Sequence, residues 1–129
     1  MAQVKIYGLR ESLAATRAQW SGLIHAALVE TLGLPEDKKF QRFIPLDPGD
    51  FIHPADRTDA YTIVEISLFE GRSPGAIKSL LKRIMADAQT ALGLSAHDIE
   101  ITVFESPRHC WGIRGKTGDE LALAYKVDV

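Results

Sequence analysis

The two halves of the chain share one residue pattern at an offset of sixty positions. Apolar residues and a glycine recur at matching places: Trp20 and Leu80, Ile24 and Ile84, Leu32 and Leu92, Gly33 and Gly93. In each half, strand-like residues come before and after this helix-like run. A repeat of that length predicts two β-α-β units in tandem, roughly 1–59 and 60–129, within a single domain spanning 1–129.

The composition restricts the classes of protein to which the chain can belong. Its 129 residues are 46% hydrophobic, which is enough for a compact core. The formal net charge of -2 contrasts with the basic surface of nucleic-acid-binding proteins, so no nucleic-acid partner is expected.

The sequence predicts a cytoplasmic protein. No apolar run approaches the length that crosses a bilayer, so no membrane partner is expected. The first residues lack the long apolar stretch of a signal peptide. Cys110 is the only cysteine, which excludes an intrachain disulfide and fits a reducing compartment.

In the first half, the residues predict a strand, a long helix and a second strand. Val4 to Leu9 alternate in polarity, as a half-buried strand does. Ser12 is expected to cap a helix that stops at Gly33. A strand is expected over Phe40 to Leu46, followed by a long loop over Asp47 to Asp59.

The second half predicts the same order of elements. Tyr61 to Phe69 is nearly all apolar, as buried central strands are. Ser73 is expected to cap the second helix, with Pro74 in its first turn. Alternating residues predict a fourth strand over Ile99 to Phe104, and Leu121 to Val129 adds a short strand or hairpin.

These elements predict an α+β fold, a two-layer sandwich of a four-stranded sheet with both helices on one face. Right-handed crossovers place each helix against the sheet. The opposite face is expected to mix aromatic and polar side chains: Lys5, Tyr7, Gln41, Phe43, Glu65, Ser67, Phe69, Glu100, Thr102 and Phe104. Such a face predicts self-association of several copies of the chain.

Three short segments, with the two β-α-β units, resemble the tautomerase superfamily. They are the stretch Ile44 to Ile52, the turn Phe69 to Ser73 and the stretch Trp111 to Gly115. The chain is most similar to fused members related to malonate semialdehyde decarboxylase and cis-3-chloroacrylic acid dehalogenase. The resemblance implies a homotrimer with active sites lined by the N-terminus and the sheet. It also implies tautomerisation, decarboxylation or hydration of a small carbonyl-containing carboxylate, with no cofactor.

The family's catalytic group is missing at its usual place. Members use an N-terminal proline, exposed when the initiator methionine is lost, and this chain has Ala2 instead. If Met1 is removed, the amine of Ala2 can serve as a base, since α-amino groups have a pKa of about 7.7–8.0. If Met1 is kept, no amine occupies the family's catalytic position.

Arg72 is the main candidate for binding the substrate carboxylate. It matches a family arginine, and a guanidinium beside a helix N-terminus attracts an anion. The alternative is a surface arginine paired with Glu70 or an aspartate. Glu70 itself falls near the place of a second arginine in some relatives, which argues against a two-arginine clamp.

Two further candidates lie in the first half. His25 falls where relatives have a histidine and is the fallback base, since imidazole titrates near neutral pH. A partly buried structural histidine is the favoured alternative. Lys38 stands where the decarboxylase pattern has a water-activating aspartate, so it either binds an anion or lies in a solvated charge run.

Trp111 and Arg114 are candidates for a pocket wall that excludes water and binds an anion. Arg108 and His109 belong to the same stretch, and the alternative is a tryptophan that anchors the tail to the core. The spacing of the four histidines matches no metal motif, so no metal site is expected.

Two other classes of function stay open. A non-catalytic small-anion binding or structural homotrimer would keep the scaffold without the amine, since fold alone does not define activity. An RNA-recognition module is disfavoured, because the chain is acidic and its sheet aromatics accompany glutamates.

Overall fold

The computed structural model describes residues 1–129 and contains two long helices on a four-stranded sheet. The elements in chain order are β1 (Ala2–Leu9), α1 (Arg10–Leu32), β2 (Gln41–Leu46), β3 (Thr62–Phe69), α2 (Pro74–Leu92), β4 (Ile99–Ser106), β5 (Gly112–Ile113) and β6 (Lys116–Thr117). The last two strands form a separate small hairpin. No helix in the structure is both long and apolar enough to traverse a bilayer.

The sheet has the strand order β2-β1-β3-β4. Within each half the two strands are parallel, and β1 and β3 pair antiparallel at the centre. This arrangement confirms the predicted α+β fold of tandem β-α-β units. The antiparallel pairing of Ala2 with Leu68 also places the start of β1 beside the end of β3.

The core lies between the sheet and the two helices. The residues paired by the repeat, Trp20 with Leu80 and Ile24 with Ile84, are all fully buried there. The strands contribute every second side chain, among them Val4, Ile6, Val64 and Ile66. The repeat therefore reflects a shared packing solution in both halves.

The helix ends follow the sequence prediction except at the start of α1. Ser73 caps α2 by accepting a hydrogen bond from the Ala76 amide, and Gly33 and Gly93 end the two helices in the left-handed conformation. The prediction that Ser12 caps α1 is wrong. The chain passes from β1 into the helix without a break, so Ser12 lies within its first turn.

The face of the sheet opposite the helices, here called the open face, carries four rows of side chains. One row contains Ile44, Tyr7, Ile63 and Glu100, and the next contains Arg42, Lys5, Glu65 and Thr102. The prediction that Gln41 and Phe43 lie on this face is wrong. The register pairs them with Val4 and Ile6, so Phe43 packs on the core and Gln41 donates to the Ser21 carbonyl of α1.

The last nine residues contain no strand, contrary to the prediction for Leu121 to Val129. A hairpin forms earlier instead, because Arg114 and Gly115 both adopt positive φ angles, 51° and 78°, which suit a tight two-residue turn. The tail then runs back as irregular backbone along the end of β3.

Candidate active site

A cavity of about 220 Å³ opens where β1 begins and β3 ends. It is lined by Met1, Pro35, Lys38, Phe69, Arg114 and the tail segment 121–125, here called the wall segment. Most lining residues are apolar, and the charged ones are cationic. The antiparallel centre of the sheet brings the two halves together here.

Met1 lines this cavity, and its amino group has an unusual environment. Burial, together with the positive charges of Arg72 and Arg108, lowers the pKa of this amine to about 5. Both effects disfavour the charged ammonium. At neutral pH the amine is therefore uncharged and able to accept a proton.

Arg72 lies behind Phe69, at the turn between β3 and α2. Its side chain is 5% exposed, and Nη1 donates to the Phe69 carbonyl at 3.0 Å. Its Nε and Nη2 are buried without any hydrogen-bond partner. Burial lowers the pKa of this guanidinium, while Glu105 and Asp128 act in the opposite direction. Buried donors without partners are rare in proteins, which indicates a place for an acceptor.

The chain's last residues cover the turn that carries Arg72. The main-chain oxygen of Val129 accepts a hydrogen bond from the Ser73 amide at 2.7 Å. Gly71 has a φ of 134°, and a Cβ there would lie 2.9 Å from Val127 Cγ1 and 2.7 Å from Asp128 Oδ1. Only glycine allows this close approach, so the tail is fitted to the turn.

Arg108 and Trp111 support Phe69 from behind. The guanidinium of Arg108 lies 5.6 Å from the centre of the Phe69 ring, and the Trp111 ring meets Phe69 edge-on at 5.0 Å. Trp111 also donates through Nε1 to Ser106 Oγ at 3.0 Å. The tryptophan thus anchors the segment to β4 and does not line the cavity itself.

Lys38 and Arg114 reach the cavity from opposite halves. Lys38 follows α1, and its Nζ lies 4.0 Å from Asp37 Oδ2, a weak exposed pair. Arg114 projects from the turn of the β5–β6 hairpin and is exposed. Two of the predicted anion-binding residues therefore share one cavity with the amine.

His25 does not line this cavity. Its Nε2 lies 2.7 Å from the Glu36 carbonyl oxygen, and its neighbours in a separate groove include Glu30 and Lys39. Within one chain the imidazole therefore fastens the loop after α1.

The structure also shows a polar network at the opposite end of the sheet that the sequence did not indicate. Tyr61 stacks on Phe51 at 5.2 Å, with His53 edge-on, and its hydroxyl donates to Glu100 at 2.6 Å. Burial, together with Glu100, raises the pKa of Tyr61 to about 12. Arg57 also donates to Glu100. The long loop is therefore fixed by its own aromatic and charged residues.

A separate groove of about 340 Å³ lies beside that network, between the start of α1 and the end of β2. Its charged lining residues are Arg10, Glu11, Asp47 and Asp59, and Arg10 pairs with Asp47 at 3.2 Å. The remaining carboxylates repel an anionic ligand, so this groove is a poor match for a carboxylate.

Two contributors to the cavity were not predicted from the sequence. They are the wall segment 121–125 and the amine of Met1, since a retained Met1 was expected to leave no amine there. The tail has no periodic pattern, so no sequence signal placed it near the end of β3. Arg108 belongs to the stretch predicted as a pocket wall, but it contacts Phe69 and does not line the cavity.

We expect the amine of Met1 to titrate near pH 5. The neutral amine is the reactive form, so its rate of labelling by an acylating reagent should reach half its maximum near that pH. Mass spectrometry of the N-terminal peptide measures this rate. In the urea-unfolded chain the midpoint should return to about 8. A midpoint near 8 in the folded protein would contradict the described environment.

Comparisons with known proteins identify the family and the fold. A family model described as tautomerase enzyme matches residues 38–114, which is more than half of the chain. These residues extend from Lys38 through Arg72 to Arg114 and include most of the charged groups around the cavity.

Solved structures share the fold at low sequence identity. FG41 malonate semialdehyde decarboxylase, inhibited by 3-bromopropiolate, is 24% identical with a TM-score of 0.74, and the match covers 94% of this chain and 98% of that one. A member of the cis-3-chloroacrylic acid dehalogenase family is 18% identical with a TM-score of 0.77, covering 89% and 82%. A fused 4-OT solved as an asymmetric trimer is 17% identical with a TM-score of 0.79, covering 91% and 96%.

Proposed function

The chain belongs to the tautomerase enzyme family, and from that premise we propose that it acts on a small carbonyl-containing carboxylate by keto–enol tautomerisation, decarboxylation or hydration. The observation that carries the proposal is the position of Met1, whose amine has its pKa lowered to about 5, at a cavity whose charged lining residues, Lys38 and Arg114, are cationic. A base and an anion-binding surface are the two parts that such chemistry needs.

The amine supplies the proton transfer. In a tautomerisation it takes a proton from the enol or from the carbon next to the carbonyl, and the resulting ammonium returns a proton at the other position. An amine with a pKa of about 5 is uncharged at neutral pH and releases the proton readily afterwards. A primary amine here thus takes the place of the family's proline, and Ala2 assumes this role wherever Met1 is removed.

The cations hold the substrate and stabilise the charge that develops on it. Arg72 has two unpartnered N–H-bearing nitrogens for a carboxylate, and Lys38 and Arg114 add positive charge at the cavity itself. Enolate-like states gain more from fixed positive charge than the neutral ground state does. The volume of about 220 Å³ is below the roughly 300 Å³ typical of drug-sized ligands, which favours a short substrate.

We also propose that the chain forms a homotrimer through its open face. In one chain this face leaves Ile44 and Ile63 beside Tyr7 without any covering element, and Phe104 is 49% exposed. A fused 4-OT of the same fold is an asymmetric trimer, which supports the proposal. Large uncovered apolar surfaces commonly mark protein contacts.

A non-catalytic role in binding small anions is the second candidate. Ala2 in place of the catalytic proline favours it. Such a protein would bind carboxylates in the same cavity without turnover.

An assay on material with a verified N-terminus separates the two candidates. Intact mass spectrometry first establishes whether Met1 or Ala2 is the N-terminal residue. We expect the ketonisation of phenylpyruvate enol or 2-hydroxymuconate to exceed the uncatalysed rate, with kcat/KM rising through pH 5 as the amine of Met1 loses its proton.

The Ala2→Pro variant, processed to a free N-terminal proline, should be faster still. Blocking the amine by carbamylation is the matched control and should abolish the rate. Binding of either substrate without turnover in the original chain and in Ala2→Pro would instead support the non-catalytic candidate.

A further inference from the structure

Arg108 contacts several parts of the cavity's surroundings at once. Its Nε and Nη2 donate to the Gly118 carbonyl at 3.1 and 3.0 Å, and Nη2 also donates to the Leu121 carbonyl at 3.1 Å. The same guanidinium lies 5.6 Å from the centre of the Phe69 ring. Phe69 and Leu121 both line the cavity, so one side chain joins two of its surfaces.

The backbone around these contacts is closely packed. Gly118 is buried, and its amide donates to the Trp111 carbonyl at 2.8 Å. A Cβ on Gly118 would lie only 2.3 Å from the Arg108 carbonyl oxygen. The backbone at Gly118 therefore packs directly on Arg108, with no room for a side chain at position 118. The wall segment 121–125 follows this closely packed residue.

We propose that Arg108 is a positioning residue of the cavity, which joins the wall segment to Phe69 and holds a fixed positive charge in the surroundings of the amine. A planar guanidinium can bind two carbonyl oxygens and lie over an aromatic ring at the same time, whereas a lysine ammonium cannot reproduce this geometry. The role rests on the proposed function of the amine and adds the residue that shapes its surroundings.

The electrostatic part of the role depends on all charges that face the amine. Arg72 and Arg108 both lower the pKa of the Met1 amine. The cavity itself brings Lys38 and Arg114, while Glu105 and Asp128 lie close to Arg72 and oppose its charge. Arg108 differs from the others because its position is fixed by hydrogen bonds to the wall segment's own start.

Two substitutions separate the charge of Arg108 from its geometry. Arg108→Gln removes the charge, and we expect the amine's labelling midpoint to rise by about half a pH unit or more. Arg108→Lys keeps the charge and should leave the midpoint in place. Both variants lose the paired bonds to Gly118 and Leu121, so amide hydrogen exchange in residues 121–125 should become several-fold faster.

Lys116→Gln is the matched control, since it removes an exposed positive charge from the neighbouring hairpin. This variant should change neither the labelling midpoint of the Met1 amine nor the amide hydrogen exchange of residues 121–125. The proposal would be overturned if Arg108→Gln had the labelling midpoint of the original chain. It would equally be overturned if Arg108→Lys left the amide hydrogen exchange of residues 121–125 unchanged. If Arg108→Gln fails to fold, Arg108→Lys still tests the positioning role. Neither measurement needs a substrate, so the result is independent of whether the protein turns over phenylpyruvate.

Discussion

Replacing Arg72 with methionine should weaken carboxylate binding by about 100-fold, or about 2.7 kcal/mol at about 1.36 kcal/mol per factor of ten. The same substitution should leave the free energy of unfolding unchanged or raise it by about 1–3 kcal/mol. In the wild type a guanidinium is buried at 5% exposure with Nε and Nη2 unpartnered, and methionine relieves that cost. A substitution that weakens binding without lowering stability indicates a residue whose role is to bind a ligand.

Titration calorimetry with phenylpyruvate and urea unfolding measure the two effects. Arg83→Met is the matched control, because Arg83 lies on α2 and pairs with Glu30 and Asp87 on the surface. It should lower stability slightly and leave binding unchanged. A clear loss of stability in Arg72→Met, with binding retained, would show that Arg72 is structural.

Replacing Ile63 with lysine should dissociate the proposed trimer. Ile63 lies at the centre of the open face between Tyr7 and Glu100, so the new ammonium would be buried among three copies of the chain. An unpaired charge at such a place costs several kcal/mol, which corresponds to a loss of association by two or more powers of ten. Light scattering should then report the monomer mass of 14.2 kDa.

Ala18→Lys is the control for that substitution. Ala18 is exposed on α1, on the far side of the sheet from the open face, so the same added charge should leave the assembly intact. Retention of the trimer by Ile63→Lys would place the contact elsewhere on the chain. Dissociation by both variants would point to net charge and not to the open face.

The scaffold was predictable because its two halves obey the same local rules. The matched pairs Trp20 with Leu80 and Ile24 with Ile84 face one core, and a glycine ends each helix. The register of the edge strand was harder. Gln41 and Phe43 were predicted on the open face and lie on the helix-facing side of the sheet. A register shift of one residue is enough for this error, because it moves every side chain of a strand to the other face.

The cavity was only partly predictable because half of it comes from irregular backbone. The sequence analysis singled out Lys38, Arg72 and Arg114, and the structure brings Lys38 and Arg114 to one cavity with Arg72 buried behind it. The contributions of Arg108 and of the wall segment depend on how the tail returns to β3. Packing between irregular backbone and a distant strand produces no periodic pattern of apolar residues in the sequence.

The aromatic stack at Tyr61 has a consequence for binding stoichiometry. At the offset of sixty residues, the sequence positions that match the cavity's key groups are Tyr61 for Met1, Ser12 for Arg72 and Asp98 for Lys38. The rings of Phe51 and His53 pack on Tyr61, Asp98 is engaged by the amide and hydroxyl of Thr58, and the groove lined by Ser12 carries Glu11, Asp47 and Asp59. We therefore expect each subunit to bind one carboxylate, which gives three per proposed trimer instead of six.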